Sequence, residues 1–158
     1  MAAPIERVCD YPRPPALVPG TQRVVVRALG QLLAESATSL RVLETFHPPT
    51  LYLPPEAMCL ELLQPAAGSS FCEWKGVARY FDVVHDGRRL PRAVWSYPQP
   101  TEAFAPLAGW FALYPALMDG CWLDDEPVRP QPGGFYGGWI TAAVQGPFKG
   151  DPLHPELI

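Results

Sequence analysis

The sequence predicts an all-β domain, a small barrel or sandwich of short antiparallel strands with one short helix, and three observations predict it. Proline accounts for 21 of the 158 residues, about 13% against a usual ~5%, and a helical bundle cannot absorb that many breaks in its hydrogen bonding. Nine or ten short runs of β-branched and aromatic residues recur between turn signals, as in a sandwich or barrel. The chain is 48% hydrophobic and 11% aromatic with 18% charged residues, enough apolar surface for a core and unlike a disordered chain.

The elements follow in order. Residues 1–20 are a Pro-rich arm in which Pro4, Pro12, Pro14, Pro15 and Pro19 deny a helix, and an extended, loosely packed terminus is expected, with a clasp over the body or a partner as the alternative. Arg23–Leu29 is β-branched and ends at Gly30, and Gln31–Ser36 follows the turn. Leu40–Phe46 alternates in part, as a half-buried strand does. His47-Pro48-Pro49 breaks it, Thr50–Leu53 resumes it, and Pro54–Met58 fits one helical turn with proline at its start. Cys59–Leu63 reads as a strand. Gly68–Gly76 leads into the strong strand Val77–Val84, Asp86-Gly87 signals a hairpin, and Ala93–Tyr97 returns. Pro98 and Pro100 open the one short helix, Thr101–Ala105, with Thr101 as N-cap. Trp110–Tyr114, Gly120–Leu123 and Gly138–Val144 complete the strands. Residues 21–150 thus form a single domain and 151–158 a C-terminal tail; no composition shift divides the body.

Composition also excludes function classes. With 12 basic and 16 acidic residues the net charge is −4, a poor balance for gripping nucleic-acid phosphates. No run approaches the ~18–20 apolar residues of a membrane span. The start, Met1-Ala-Ala-Pro-Ile-Glu-Arg-Val, lacks a basic region followed by an apolar stretch, so no signal peptide and a cytoplasmic location are expected. Cys9, Cys59, Cys72 and Cys121 are then expected as thiols. They form no C-x-x-C, so neither a metal nor a cofactor is expected. Nothing in the sequence sets the oligomeric state.

Several motifs in order carry a family resemblance: Val42-Leu-Glu-Thr-Phe-His-Pro-Pro-Thr-Leu-Tyr-Leu-Pro54, Cys72-Glu-Trp-Lys-Gly76 with Tyr80, Trp95-Ser-Tyr-Pro98, Ala112-Leu-Tyr-Pro115, Pro130-Gln-Pro-Gly-Gly-Phe-Tyr-Gly-Gly-Trp-Ile-Thr141 and Gly146-Pro-Phe-Lys-Gly150. Over about residues 22–150 the chain resembles the domain of unknown function 427 family, also labelled a nucleotidyltransferase. The resemblance implies a β-tent fold, similar to that of methionine sulfoxide reductase B and the thalidomide-binding domain of cereblon. The zinc of those relatives sits on paired C-x-x-C motifs, which this chain lacks, so the metal does not carry over. The family's usual Asp-Gly-Glu reads Asp124-Asp125-Glu126 here, which puts the geometry of that turn in question.

Candidate site residues gather in the same motifs. Ten of the twelve basic residues are arginine; the two lysines, Lys75 and Lys149, each stand in an aromatic-Lys-Gly triplet. Lysine is a compact charge suited to an anion contact or an amine nucleophile, or else a solvated turn residue lying on the preceding ring. On an extended segment Glu73 and Lys75 share one face, opposite Cys72 and Trp74. A Glu73–Lys75 pair can act as acid and base or be a surface ion pair. Cys72 is a candidate nucleophile beside a cation or a buried inert thiol, and Cys121 fits the inert reading better. Of the histidines, His85 and His154 read as solvated, and His47 is the one worth testing. Tyr80, Trp95, Tyr97, Tyr136 and Trp139 read as the aromatic wall of a pocket or as ordinary core rings. Gly133-Gly134-Phe-Tyr-Gly137-Gly138 lacks the Lys-Ser/Thr and the helix of a phosphate loop, and serves as a set of backbone bends.

The leading expectation is a small-molecule-binding domain in which Lys75, Glu73 and Cys72 are the candidate catalytic groups should it be an enzyme, with Tyr80, Trp95, Tyr97, Tyr136, Trp139 and Lys149 contacting the ligand. A peptide- or protein-binding module is the second. Nucleotidyl transfer is the third, because Mg²⁺ chemistry needs arranged carboxylates and Asp124-Asp125-Glu126 reads as a solvated turn.

Overall fold

The computed structural model describes residues 4–157, so Met1-Ala-Ala3 of the leader and Ile158 of the tail lie outside the described residues. The strands are β1 (Glu6–Arg7), β2 (Ala16–Gly20), β3 (Val24–Ala28), β4 (Gln31–Ser36), β5 (Ser39–Leu43), β6 (Thr50–Tyr52), β7 (Leu63–Cys72), β8 (Gly76–His85), β9 (Arg88–Ser96), β10 (Phe111–Leu113), β11 (Gly120–Leu123), β12 (Glu126–Pro127), β13 (Arg129–Pro130), β14 (Trp139–Ile140) and β15 (Val144–Gln145). Strands take 48% of the residues and helical turns 12%. All helical segments among the described residues are 3-10, the longest being Glu102–Leu107, where the short helix was expected. Its cap differs from expectation: the Thr101 side chain does not cap the turn but donates to the Trp74 carbonyl at 2.6 Å.

The sheets remain separate and close no barrel. Two are four-stranded and antiparallel, in the orders β10-β9-β8-β7 and β12-β11-β3-β4, and a third runs β2-β5-β6. Val24, Val26, Leu33, Val83, Val94 and Leu113, all fully buried, belong to the core between the two larger sheets. Residues Ala93 to Ser96 of β9 are buried without interruption, so this end of the strand is covered on both faces, while Arg88–Arg92 run out toward solvent. Val94 joins the main core, whereas Trp95 and Tyr97, two apart and hence on one face, join a second cluster with Tyr52, Ala78 and Leu107.

Three local readings are corrected. The leader is docked rather than loose: β2 pairs with β5 from Ala16↔Leu43 to Gly20↔Ser39, and Val8 and Tyr11 are buried against Leu43. Proline permits this because β2 is an edge strand, where a missing N–H leaves no ladder bond unmade. Glu6 ties the arm down, accepting hydrogen bonds from Tyr11 Oη and Arg41, both at 2.6 Å. Cys59–Leu63 is mostly a 3-10 turn, Leu60–Leu62. Cys59 N–H is held by the Leu33 carbonyl at 2.7 Å, after which Leu62 N–H turns back to Cys59. The expected strand 138–144 is interrupted, because Val144 N–H bonds the Thr141 carbonyl at 3.1 Å and separates β14 from β15. The Asp124-Asp125 turn survives the loss of its family glycine. Leu123 pairs with Glu126, and Asp124 and Asp125 adopt φ of 46° and 68°, the left-handed pair that a two-residue hairpin turn needs and that aspartate tolerates.

Candidate functional site

The second cluster floors a cavity of about 360 Å³, within the usual range for a small-molecule site. Tyr52 of β6, Trp95 of β9 and Tyr97 just after it form its base, and Trp95 Nε1–H donates to Tyr52 Oη at 3.1 Å. Tyr52 meets the Trp95 ring edge-on at 89°, and the Trp95 and Tyr114 centroids lie 4.6 Å apart. Tyr80 of β8 adds a wall whose hydroxyl lies 2.8 Å from Ser70 Oγ. Burial lifts the Tyr52 and Tyr97 hydroxyls well above their ordinary range and Tyr114 up to about 12. All three are therefore neutral hydrogen-bonding groups at physiological pH. Close approach of the last wall depends on Gly137, where an added Cβ would stand 2.5 Å from the Trp95 ring and 3.3 Å from the Leu113 carbonyl.

The parity argument for residues 72–76 fails because the segment is not extended. Cys72 pairs with Gly76, and Glu73-Trp74-Lys75 is the tip of the β7–β8 hairpin. A turn returns alternate side chains to one side, and Cys72, Glu73, Trp74 and Lys75 all line the cavity. Gly76 permits the turn with φ of 105°, which L side chains avoid. Thr101 clamps the tip, its N–H donating to the Lys75 carbonyl at 3.0 Å and its hydroxyl to the Trp74 carbonyl.

Of the remaining expected site residues, Tyr80, Trp95, Tyr97, Tyr136 and Lys149 also line this cavity, and Trp139 does not. Trp139 is 1% exposed in the main core, its backbone N–H bonded to the Pro49 carbonyl at 2.8 Å, and it borders a separate cavity of about 180 Å³. Three residues beyond Tyr136 and past two glycines, it turns to the other side of the chain. Lys75 Nζ lies 5.8 Å from the Tyr97 centroid and Lys149 Nζ 5.6 Å from that of Tyr136, both within cation–π range. Neither lysine has a carboxylate within ion-pair distance among the described residues. The expected Glu73–Lys75 pair is thus not formed, and Glu73 stands exposed at the hairpin tip.

The cavity also contains His47, the histidine the sequence marked for testing, together with Glu44, Gln131 and Tyr52, which it did not single out. Glu44 and His47 flank the turn after β5, with His47 N–H on the Glu44 carbonyl at 2.9 Å and Phe46 at φ of 67°. Glu44 Oε2 lies 3.5 Å from Arg13 and 3.8 Å from His47 Nε2. Gln131 Nε2 reaches His47 Nδ1 at 3.1 Å, and the His47 ring meets Tyr136 edge-on, centroids 5.2 Å apart. Burial holds the His47 pKa below its ordinary value; Lys149 and Arg13 push the same way and Glu44 against it. The Glu44–His47 spacing and the following prolines were the available signal for this corner. Gln131 and Tyr52 stand in the quoted motifs but had no chemical pattern of their own, because their cavity neighbours are distant in sequence.

Other reactive types are occupied elsewhere. Burial raises the Cys121 thiol to about 12, which keeps it unreactive. Asp124 accepts from Arg23 N–H at 2.8 Å and Glu126 from Ala142 N–H at 2.6 Å, so these carboxylates hold backbone together. The described residues contain no cluster of three or more His, Cys, Asp or Glu side chains able to hold a metal ion, and no helix long and apolar enough to cross a membrane.

No curated protein matches the chain. A family model does, over residues 16–124, a span that includes β2, Glu44, His47, the hairpin tip and Trp95 but stops short of Gln131, Tyr136 and Lys149. The chain therefore belongs to the family described as Domain of unknown function (DUF427), NTP_transf_9.

Proposed function

We propose that this domain binds a small planar molecule carrying a negative charge, taken between the aromatic floor and the two lysines. The observation that carries the reading is the convergence of Lys75 and Lys149, 74 residues apart and the only lysines of the chain, on one ring-lined cavity. A lysine lying over a ring in a concave site is partly desolvated, which strengthens its pull on an anion. Tyrosine and tryptophan rings present flat faces to a planar partner. Glu44, beside His47 and Arg13, and Glu73 at the rim exclude a molecule that is anionic all round. Catalysis by Lys75, Glu73 or Cys72 would start from the same bound state, with Cys72 as the thiol and Lys75 as the adjoining cation.

A second reading, a peptide-binding module, rests on one observation: Phe71 and Val77, cross-strand partners on the β7–β8 hairpin, are 75% and 45% exposed. The nucleotidyl-transfer reading is weaker, since Asp124 and Glu126 are engaged by backbone N–H groups. A thermal-shift series separates the three, using benzoate, ATP with Mg²⁺, and an apolar peptide. Benzoate at a hundredfold excess over its Kd is expected to raise the Tm by about 5–10 °C. A response to ATP with Mg²⁺ or to the peptide alone overturns the proposal.

A further inference from the structure

A second cavity, of about 490 Å³, adjoins the first and shares Tyr80, Tyr114, Phe135 and Tyr136 with it. Arg92 is the one charged residue among those that line it, and it does not line the first. The backbone aims this arginine. Between the pairs Phe81↔Val94 and Val83↔Leu90, β9 places three residues where β8 places one, a bulge of the kind that redirects a side chain. Arg92 takes φ of 50° there, a region that bulky residues seldom occupy. Asp82 holds the bend, Oδ1 accepting from Arg92 N–H at 2.8 Å while its other oxygen accepts from Arg89. The side chain is fixed as well. Nη1 donates to the Ala67 carbonyl at 2.7 Å, and the guanidinium carbon lies 4.0 Å from the centroid of the Tyr80 ring. Among the described residues no carboxylate stands within ion-pair distance of this guanidinium, and its Nε–Nη2 edge has no acceptor. Arg92 thus repeats the arrangement of Lys75 over Tyr97 and Lys149 over Tyr136. Each is a cation without an ion pair on the face of a tyrosine that lines the first cavity. Strain that the surroundings hold in place is a mark of functional positions.

We propose that Arg92 forms a second anion subsite, its open Nε–Nη2 edge binding a carboxylate or phosphate at the far end of a molecule whose first anionic group lies at Lys75 and Lys149. The proposal rests on the small-molecule reading above and narrows its ligand class. The two edge N–H groups match two oxygens of one anion, a geometry that a lysine does not offer. Tyr80 lines both cavities, so the molecule runs along its ring from one to the other. The ligand is therefore an elongated planar molecule with an anionic group at each end and an uncharged middle.

The test uses diacids of increasing length (terephthalate, 4-carboxycinnamate and biphenyl-4,4′-dicarboxylate), each beside its own monomethyl ester, with benzoate as reference. Titrations followed by tryptophan fluorescence give the affinity ratio of each diacid to its half-ester. Reading a ratio within one protein cancels any general change in binding. At least one diacid is expected to bind about five- to thirtyfold tighter than its half-ester. In Arg92→Asn that ratio should fall to the roughly twofold statistical advantage of two equivalent ends. Asparagine tolerates the left-handed backbone at this position, and Arg92→Gly, which adopts it freely, is the second variant. In the native chain the Arg92 Nε–H resonance should move with that diacid and stay in place with its half-ester. Ratios near twofold for all three diacids, a ratio that survives both substitutions, or an unmoved Arg92 resonance overturns the subsite alone while benzoate still binds. No response to benzoate or to any of the acids overturns the small-molecule reading, and the subsite with it.

Discussion

On the proposed reading, single side chains divide the cavity into groups that would hold a ligand and groups that hold the walls, and substitution separates them. Lys75 has no ion-pair partner among the described residues, so removing it costs the fold little. Lys75→Ala is expected to weaken benzoate about 10–100-fold while unfolding stability stays within about 0.5 kcal/mol. Trp95 is buried, packs on Tyr52 and Tyr114 and donates to Tyr52. Trp95→Ala should therefore cost about 3–5 kcal/mol in a urea titration and abolish binding as well. His47 supplies a pH signature. Burial lowers its pKa in the folded state below the ordinary value of 6.5, so below that pH the unfolded chain binds the proton more readily. Its contribution to stability is complete above pH 6.5 and is lost as the pH falls through the folded-state pKa. His47→Asn should flatten the pH dependence of urea midpoints in that interval; an unchanged slope would assign it to other groups.

Among the elements, the β7–β8 hairpin matters most for the site, because its tip places Lys75 over Tyr97. Two bonds from Thr101 fix that tip to the 3-10 turn Glu102–Leu107. Thr101→Val removes the hydroxyl bond and keeps the backbone one. Faster amide exchange at Glu73–Gly76 and weaker benzoate binding are expected, with the exchange of β9 unchanged. Strands whose alternation or turn chemistry is local were legible in the sequence: Val24–Ala28, the Asp86-Gly87 hairpin, and the pairing of Trp95 with Tyr97 on one face. The hairpin tip was not, because parity was applied across Cys72–Gly76 as though it ran straight, although Gly76 carried a turn signal. Cys59–Leu63 misled because a short apolar run reads equally as strand or turn. Of the nine candidate site residues drawn from the motifs, eight line one cavity, while Gln131, Tyr52 and Glu44, in the same motifs, enter it through contacts between distant segments that the sequence does not display. Trp139, in the same motif as Tyr136, went to the core because three positions along a stretch with no turn put the two side chains on opposite sides.

For the molecule as a whole, a net charge of −4 surrounds a cavity that gathers both lysines, so an incoming anion meets repulsion outside and attraction within. The Debye length falls from about 10 Å at 0.1 M salt to about 3 Å at 1 M, and the lysine contribution at an open cavity is screened with it. Benzoate affinity should therefore fall as salt rises, and Lys75→Ala should lose most of that dependence; equal slopes in the two proteins would mean that Lys75 does not face the ligand. The central claim, that two lysines 74 residues apart act on one ligand, has a direct readout because the chain has no others. Reductive methylation with ¹³C-formaldehyde labels the two side chains and retains their charge. On titration with benzoate, both dimethyllysine signals, assigned with Lys75→Arg and Lys149→Arg, are predicted to move with one shared Kd. Movement of only one signal, or of neither, would contradict the account.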